Sequence, residues 1–232
     1  LREEYSILGL CQNPSTETHP NVRYQTADVR AKDQLISTIK DFLPDEIVHL
    51  AAISQSWAND LDQLYSINVL GTLNLYEAVL SQKNYDPKIL YISSAEVYGK
   101  TSNAAGINEE MPFFPANLYA VSKVTADRLS YQYSVAHGLR IIILRPFAHT
   151  GPGQKEGFFV PDMASQIAQL ESHDSEEKIK VGNLEPIRDY LDVRDVVRAY
   201  KLAFECNLNP GEAYNICSGK GIKLSFMLNI LL

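Results

Sequence analysis

Between Lys32 and Leu43, Leu35, Ile36, Ile39 and Leu43 recur at the three-and-four spacing of a helix buried on one face. Pro44 and Asp45 end that pattern. The segment LDQLYSINVLGTLNLYEAVLSQ (61–82) repeats it over a longer stretch and predicts one helix with Leu64, Ile67, Leu75 and Val79 inward. A third helix is predicted from near Asn117 to about His137. Between these segments lie short runs with almost no polar position: SILGLC (6–11), EIVHLAA (46–52), KILYISS (88–94) and GLRIIILRPF (138–147). Continuous apolar runs of that length predict strands buried on both faces. Strands alternating with helices predict an α/β fold, a Rossmann-like doubly wound parallel sheet.

After HTGPGQ (149–154) the texture changes. A helix, an acidic loop over Glu171–Glu177 and a short strand predict a smaller lobe at the C-terminal edge of the sheet. The expected division is a dinucleotide-binding domain over 1–150 and a mainly substrate-binding lobe over 151–232, with 192–217 returning to the main sheet. The chain opens at LREEYSILGL without Met and stops at LSFMLNILL inside an apolar helical pattern, so it reads as a fragment of a longer protein. The first βα unit, with the glycine-rich turn that grips a pyrophosphate, is expected to precede Leu1.

Composition narrows the function. A length of 232 residues with 45% hydrophobic content supports a sizeable core. The net charge of −7 disfavours a generic nucleic-acid binder. Cys11, Cys206 and Cys217 are scattered with no C-x-x-C spacing, which suits a reducing cytoplasmic location. The five histidines have no metal-ligand spacing, and no apolar run is long enough to span a bilayer.

The candidate chemistry sits in PANLYAVSK (115–123), where Tyr119 and Lys123 share a helix face one turn apart. With 13 Tyr and 12 Lys in the chain, chance alone supplies about 0.7 such pairs, so the surroundings carry the argument. Ser94 ends a predicted strand 25 residues before Tyr119. A hydroxyl, a phenol and an ammonium facing one cleft suit carbonyl–alcohol redox chemistry, because a reduced ketone leaves an oxygen that needs a proton. For the phenol to act as a base near neutrality, its pKa must fall about three units, roughly 4 kcal/mol. A neighbouring Lys⁺ acts in that direction.

The ordered stretches TADVR, VHLAA, NVLGTLNL, YISSAEVYG, YAVSK, LRPFAHTGPGQ, VGNLEPIRDYLDVRD and YNICSG cover nearly the whole chain. Together they resemble the extended short-chain dehydrogenase/reductases acting on nucleotide sugars (the NAD-dependent epimerase/dehydratase family). Within it, GPGQ and VGNLEPIRDYLDV look most like the GDP-6-deoxy-4-keto-mannose reductases and GDP-mannose 4,6-dehydratases. The resemblance implies that Tyr119 donates the proton, that Lys123 holds the nicotinamide ribose and lowers the Tyr119 pKa, and that Ser94 binds the C4 oxygen of the sugar. It places Asp28 and Val29 at the adenine and the backbone of Leu50, Ala51 and Ala52 under the cofactor phosphates. It makes Asn68 a tie between a helix and a strand. Pro146, Phe147 and His149 come near the nicotinamide, and Arg188 pairs with the substrate diphosphate. A homodimer through a four-helix bundle is implied as well.

Three positions depart from the family pattern. Ala148 stands in Phe147-Ala148-His149 where the family carries an asparagine that contacts the sugar nucleotide, and Leu118 precedes Tyr119 where proline is common. After the second expected strand, Cys11, Gln12 and Asn13 supply no acid for the ribose hydroxyls, which favours NADP(H) over NAD(H). Glu96, two residues after Ser94, matches the general base of the dehydratases, although reductases carry an acid there too. NADPH-dependent reduction of a GDP-6-deoxy-4-keto-hexose is therefore the expected activity. Dehydration of GDP-mannose, epimerisation of a nucleotide sugar, and a non-catalytic cofactor sensor on the same fold are the alternatives.

Overall fold

The computed structural model describes residues 5–13, 21–54, 60–100, 106–173 and 178–232. The chain divides into two units: Leu1–Arg145 with Tyr200–Tyr214, and Pro146–Ala199 with Asn215–Leu232. Residues 174–177 of the expected acidic loop lie outside the described set.

In the first unit β1 (Ile7–Cys11) pairs in parallel with β2 (Val22–Thr26). A second sheet runs in the order β3 (Glu46–His49), β4 (Lys88–Ile92), β5 (Arg140–Pro146), β8 (Ala213–Ile216), and its first three strands are parallel. Among the described residues β1 and β3 each pair on one side only. That explains a difference from the sequence reading. Val48 and Leu50 are exposed, and the run 46–52 is strand only to His49. An edge strand covers fewer of its side chains than a central one, whereas β4 and β5 are buried almost throughout.

Helices α1 (Lys32–Phe42), α3 (Gly71–Leu80) and α4 (Leu118–His137) pack one face of that sheet. Leu35 and Ile39 of α1, Leu75, Tyr76 and Val79 of α3, and Ala126 and Tyr133 of α4 meet Ile89, Tyr91, Ile141 and Ile143 in one core. The alternate strand residues Leu90, Ile142 and Leu144 are buried on the opposite face, which accounts for the unbroken apolar runs. Leu43, placed on the inner face of α1 by its spacing, is instead the left-handed C-cap of that helix (φ 47°) and 52% exposed. The cap turns the chain toward Pro44 and swings this side chain off the buried stripe.

The long helix expected over 61–82 is three segments. α2 (Leu61–Tyr65) leads into a π turn, Ser66–Leu70, and then into α3. Asp60 caps the start through its side chain on Gln63 N. The π turn shifts the helical phase, so Asn68 is buried and Ile67 only half-buried. Such turns hold one extra residue per ladder step and frequently mark functional positions. Gly71 follows at once, and a Cβ there would lie 2.6 Å from Val29 Cγ2, so glycine allows the helix to approach the chain after β2.

The second unit holds α5 (Phe159–His173) and a three-stranded sheet of β6 (Ala148–Thr150), β7 (Ile187–Asp192) and β9 (Gly221–Lys223). β6 pairs with β7 in parallel and β7 with β9 antiparallel. α7 (Leu224–Leu231) packs on α5. α6 (Val193–Glu205) follows β7, and the three carbonyls of Ala203, Phe204 and Cys206 at its end accept from Lys88 Nζ. An ammonium at that position satisfies orphan carbonyls and opposes the negative end of the helix dipole.

Candidate active site

β4 delivers Ser93 and Ser94 at its C-terminal end. Ser93 N donates to Leu144 O at 2.7 Å, which extends the β4–β5 ladder past the strand. Ser94 then caps the 3₁₀ turn Ala95–Tyr98, accepting from Glu96 N at 3.2 Å. Gly99 ends this turn at φ +64°, with Phe114 O only 1.7 Å from where a Cβ would stand. The neighbouring helix α4 starts at the N-cap Asn117, and its first turn presents Tyr119.

The Tyr119 phenol is buried, with the Ser94 hydroxyl as a polar neighbour. Burial pushes the phenol up to about 12, the nearby Ser94 hydroxyl opposes that shift, and the Glu96 charge adds to it. At neutral pH the group is therefore a protonated acid. Lys123 is buried one turn further along. Its ammonium donates to Ile92 O and lies 4.7 Å from the centre of the Tyr91 ring, a cation–π contact. Desolvation lowers Lys123 to about 7, against the opposing pull of Asp127.

Beneath these groups lies a polar layer that spacing does not reveal. Asp127 stands one turn after Lys123, fully buried. It accepts from Ser93 Oγ at 2.8 Å, Arg145 Nε at 2.9 Å, Arg145 Nη2 at 3.0 Å and Arg128 Nη2 at 2.5 Å. Arg145 Nη1 also donates to Tyr98 Oη at 2.8 Å and Glu109 O at 3.1 Å. Burial pushes the Asp127 carboxyl up, and the bonds and charge of the two arginines carry it below its ordinary value. The network joins β4, α4, β5 and the turn bearing Glu96. Its one legible signal is the Lys123–Asp127 spacing of four along α4.

Asn68 does tie elements together. Its Oδ1 accepts from Ile53 N at 2.8 Å, and its Nδ2 donates to Ile53 O at 3.2 Å and Ser122 Oγ at 2.9 Å. The site helix is thereby linked to the chain leaving β3. His49, the last residue of β3, is buried with Nε2 2.9 Å from Thr72 Oγ1. Desolvation, with the Lys123 charge, lowers His49 to about 3. The unfolded chain takes up this proton near the ordinary value of 6.5, so it binds more protons than the folded chain between about 6.5 and 3. Stability is thus lost as pH falls through that window, by up to about 1.4 kcal/mol per pH unit from this group. Urea midpoints measured from pH 7 to pH 4 will fall less steeply in His49→Gln than in the parent; parallel curves would refute the assignment.

The expected cofactor residues of the first unit lie at strand ends. Asp28 follows β2 and accepts from Arg30 N, Nε and Nη2 and from Gln12 Nε2. Arg30 holds its carboxyl well below the usual range. The N-cap of α1 is Ala31, so Asp28 is not the helix cap. Val29 O accepts from Asn74 Nδ2 at 3.0 Å. Leu50 is 62% exposed, Ala51 is exposed and Ala52 half-exposed. Pro146, Phe147, His149 and Arg188 belong to the second unit. There His149 Nδ1 bonds Phe147 O at 2.9 Å, and Arg188 Nη1 donates to the backbone carbonyl of Ile187. Its neighbour Asp189 accepts from Ser218 and Gly219 instead. Among the described residues no group of His, Cys, Asp or Glu could hold a metal ion.

A parallel α/β sheet, a strand-end serine near a buried tyrosine, and a lysine one turn along the tyrosine's helix define the short-chain dehydrogenase/reductase class. Comparison with known proteins narrows this. The family described as GDP-mannose 4,6 dehydratase matches residues 4–230, and the chain belongs to that family. The GDP-6-deoxy-D-mannose reductase of Pseudomonas aeruginosa is 39% identical over 193 residues, 82% of this chain and 62% of that protein. This chain thus spans about three fifths of that relative's length. The solved structure of RMD from Pseudomonas aeruginosa complexed with NADPH superposes with TM-score 0.82 at 35% identity, covering 93% of this chain and 75% of that one. dTDP-glucose 4,6-dehydratase from Bacillus anthracis in complex with NAD gives TM-score 0.86 at 25% identity, covering 99% and 72%.

Proposed function

We propose that these residues form most of an NADPH-dependent reductase acting on the 4-keto group of a GDP-6-deoxy-4-keto-hexose. The observation that carries this reading is the geometry at the start of α4: a buried Tyr119 phenol near the strand-end Ser94, with Lys123 buried one turn further along. Reduction of a ketone needs an acid there: Tyr119 supplies the proton to the developing alkoxide while the Ser94 hydroxyl holds the same oxygen. When bound, the nicotinamide supplies the hydride. The apolar, exposed end of β3 at Leu50 and Ala51 fits a flat dinucleotide passing over the strand ends. Asp28 and Val29 would meet the adenine, and Lys123 the nicotinamide ribose. Pro146, Phe147 and His149 would border the nicotinamide, and Arg188 would take the diphosphate. The reductase named among the relatives and the NADPH of the solved relative support the choice of sugar and cofactor.

The one-sided pairing of β1 and β3 leaves an edge on each, and we assign both edges to a glycine-rich βα unit of the complete protein. The exposed Tyr131 and Val135 share one face of α4, and that face, with the exposed Leu70 and Leu80, would serve a homodimeric four-helix bundle. Cys11, Cys206 and Cys217 are thiols rather than disulfides, which suits a reducing, cytoplasmic site of action. A second reading, dehydration of GDP-mannose, rests on Glu96, whose charge acts on Tyr119. The test is to give the full-length protein NADPH and GDP-6-deoxy-4-keto-mannose and follow nicotinamide absorbance. Stoichiometric loss of NADPH is expected. No loss, together with conversion of GDP-mannose to its 4-keto derivative, would replace the reductase by the dehydratase.

A further inference from the structure

Asn117 has extended backbone (φ −149°, ψ 167°) and accepts from Ala120 N through Oδ1 at 2.7 Å. That bond fixes the amide's orientation, because a flipped amide would set its NH₂ against a backbone N–H. The Nδ2 end is therefore directed outward, where it donates to Glu96 Oε2 at 3.0 Å. Glu96 N donates to Ser94 Oγ, and Tyr119, whose phenol feels both Ser94 and Glu96, stands two residues beyond Asn117. These contacts gather Asn117, Glu96 and Ser94 at the first turn of α4, beside Tyr119. Glu96 is exposed, so this one donor offsets rotamer freedom that the side chain would otherwise keep. Capping alone does not need the donor: Ser or Asp would cap equally well.

We propose that Asn117 is a positioning residue that fixes the Glu96 carboxylate beside Tyr119. The inference rests on reading Ser94, Glu96 and Tyr119 as the reacting set, and the experiment separates the two. In full-length protein labelled with ¹⁵N, the Asn117 side-chain amide signal is expected to move in Glu96→Ala. An unmoved signal overturns the proposal whatever the enzyme does. Asn117→Ser and Asn117→Asp keep the cap and are expected to retain the parental urea midpoint. Both are expected to lose about 10- to 100-fold in kcat, with KM little changed, because a carboxylate left to wander misses its geometry. Adding Asn117→Ser to Glu96→Ala is expected to cost nothing further. Parental kcat in both Asn117 variants, or additive losses in the double variant, overturns the positioning role. An inactive parent would sink the functional reading, and the amide signal would then judge the contact by itself.

Discussion

Tyr119→Phe in the full-length protein will lower kcat by about a thousandfold, within the 10²–10⁴ range of a lost general acid, and will leave the fold intact. Phenylalanine fills the same buried volume, and the phenol oxygen it removes has Ser94 as its polar neighbour. No nearby group can replace the proton. Lys123 is committed to Ile92 O, and Ser94 has a hydroxyl that ordinarily does not ionise. Because burial holds the phenol up to about 12, Tyr119 itself will impose no alkaline fall on the parent's reducing activity, and a fall beginning near 7 would belong to Lys123. Rates measured for parent and variant under saturating NADPH, with a near-ultraviolet spectrum for packing, decide the matter. A variant within tenfold of the parent would remove Tyr119 from the mechanism.

The largest expected loss of stability comes from Arg145→Met. Asp127 would then keep only Ser93 and the exposed Arg128 as partners, with its carboxylate still out of water. Breaking one side of a buried pair costs about 3–5 kcal/mol, much of it the unpaired charge. The double variant Asp127→Asn, Arg145→Met removes both charges and is expected to recover a good part of that loss, since a buried pair as a whole adds little net stability. Urea unfolding of Arg145→Met, Asp127→Asn and the double variant gives the cycle directly. A loss below about 1 kcal/mol in Arg145→Met would mean that water reaches the pair.

Much of this architecture is legible in the sequence because it rests on local periodicity. Leu35, Ile39, Leu75 and Val79 fall where their spacing puts them, and the apolar runs 88–94 and 138–147 are the two central strands. Leu43 and Val48 misled because each depends on what lies beyond its own element: a left-handed cap for one, an unpaired strand edge for the other. Ser94, Tyr119 and Lys123 could be picked out because each sits at a strand end or helix start. Asn117, Asp127 and Arg145 could not, because their partners stand 21, 34 and 18 residues away in the chain and no spacing rule joins them. Their types gave little warning, since an N-cap asparagine and an arginine at a strand end are ordinary.

The π turn at Ser66–Leu70 has a consequence for length variation in this helix. An α-helix advances about 100° per residue, so the surplus residue in the turn dials everything before it by that angle relative to everything after it. Deleting one residue between Ser66 and Leu70 would leave a hydrogen-bond ladder that closes as ordinary α-helix. The cost would be rotational: Leu64 and Asn68 would no longer face inward together with Leu75 and Val79. A one-residue gap here is thus mild for the backbone and severe for the tie from Asn68 to Ser122. Relatives that lack the surplus residue would need another group, at another position, to hold the tyrosine helix against the end of β3.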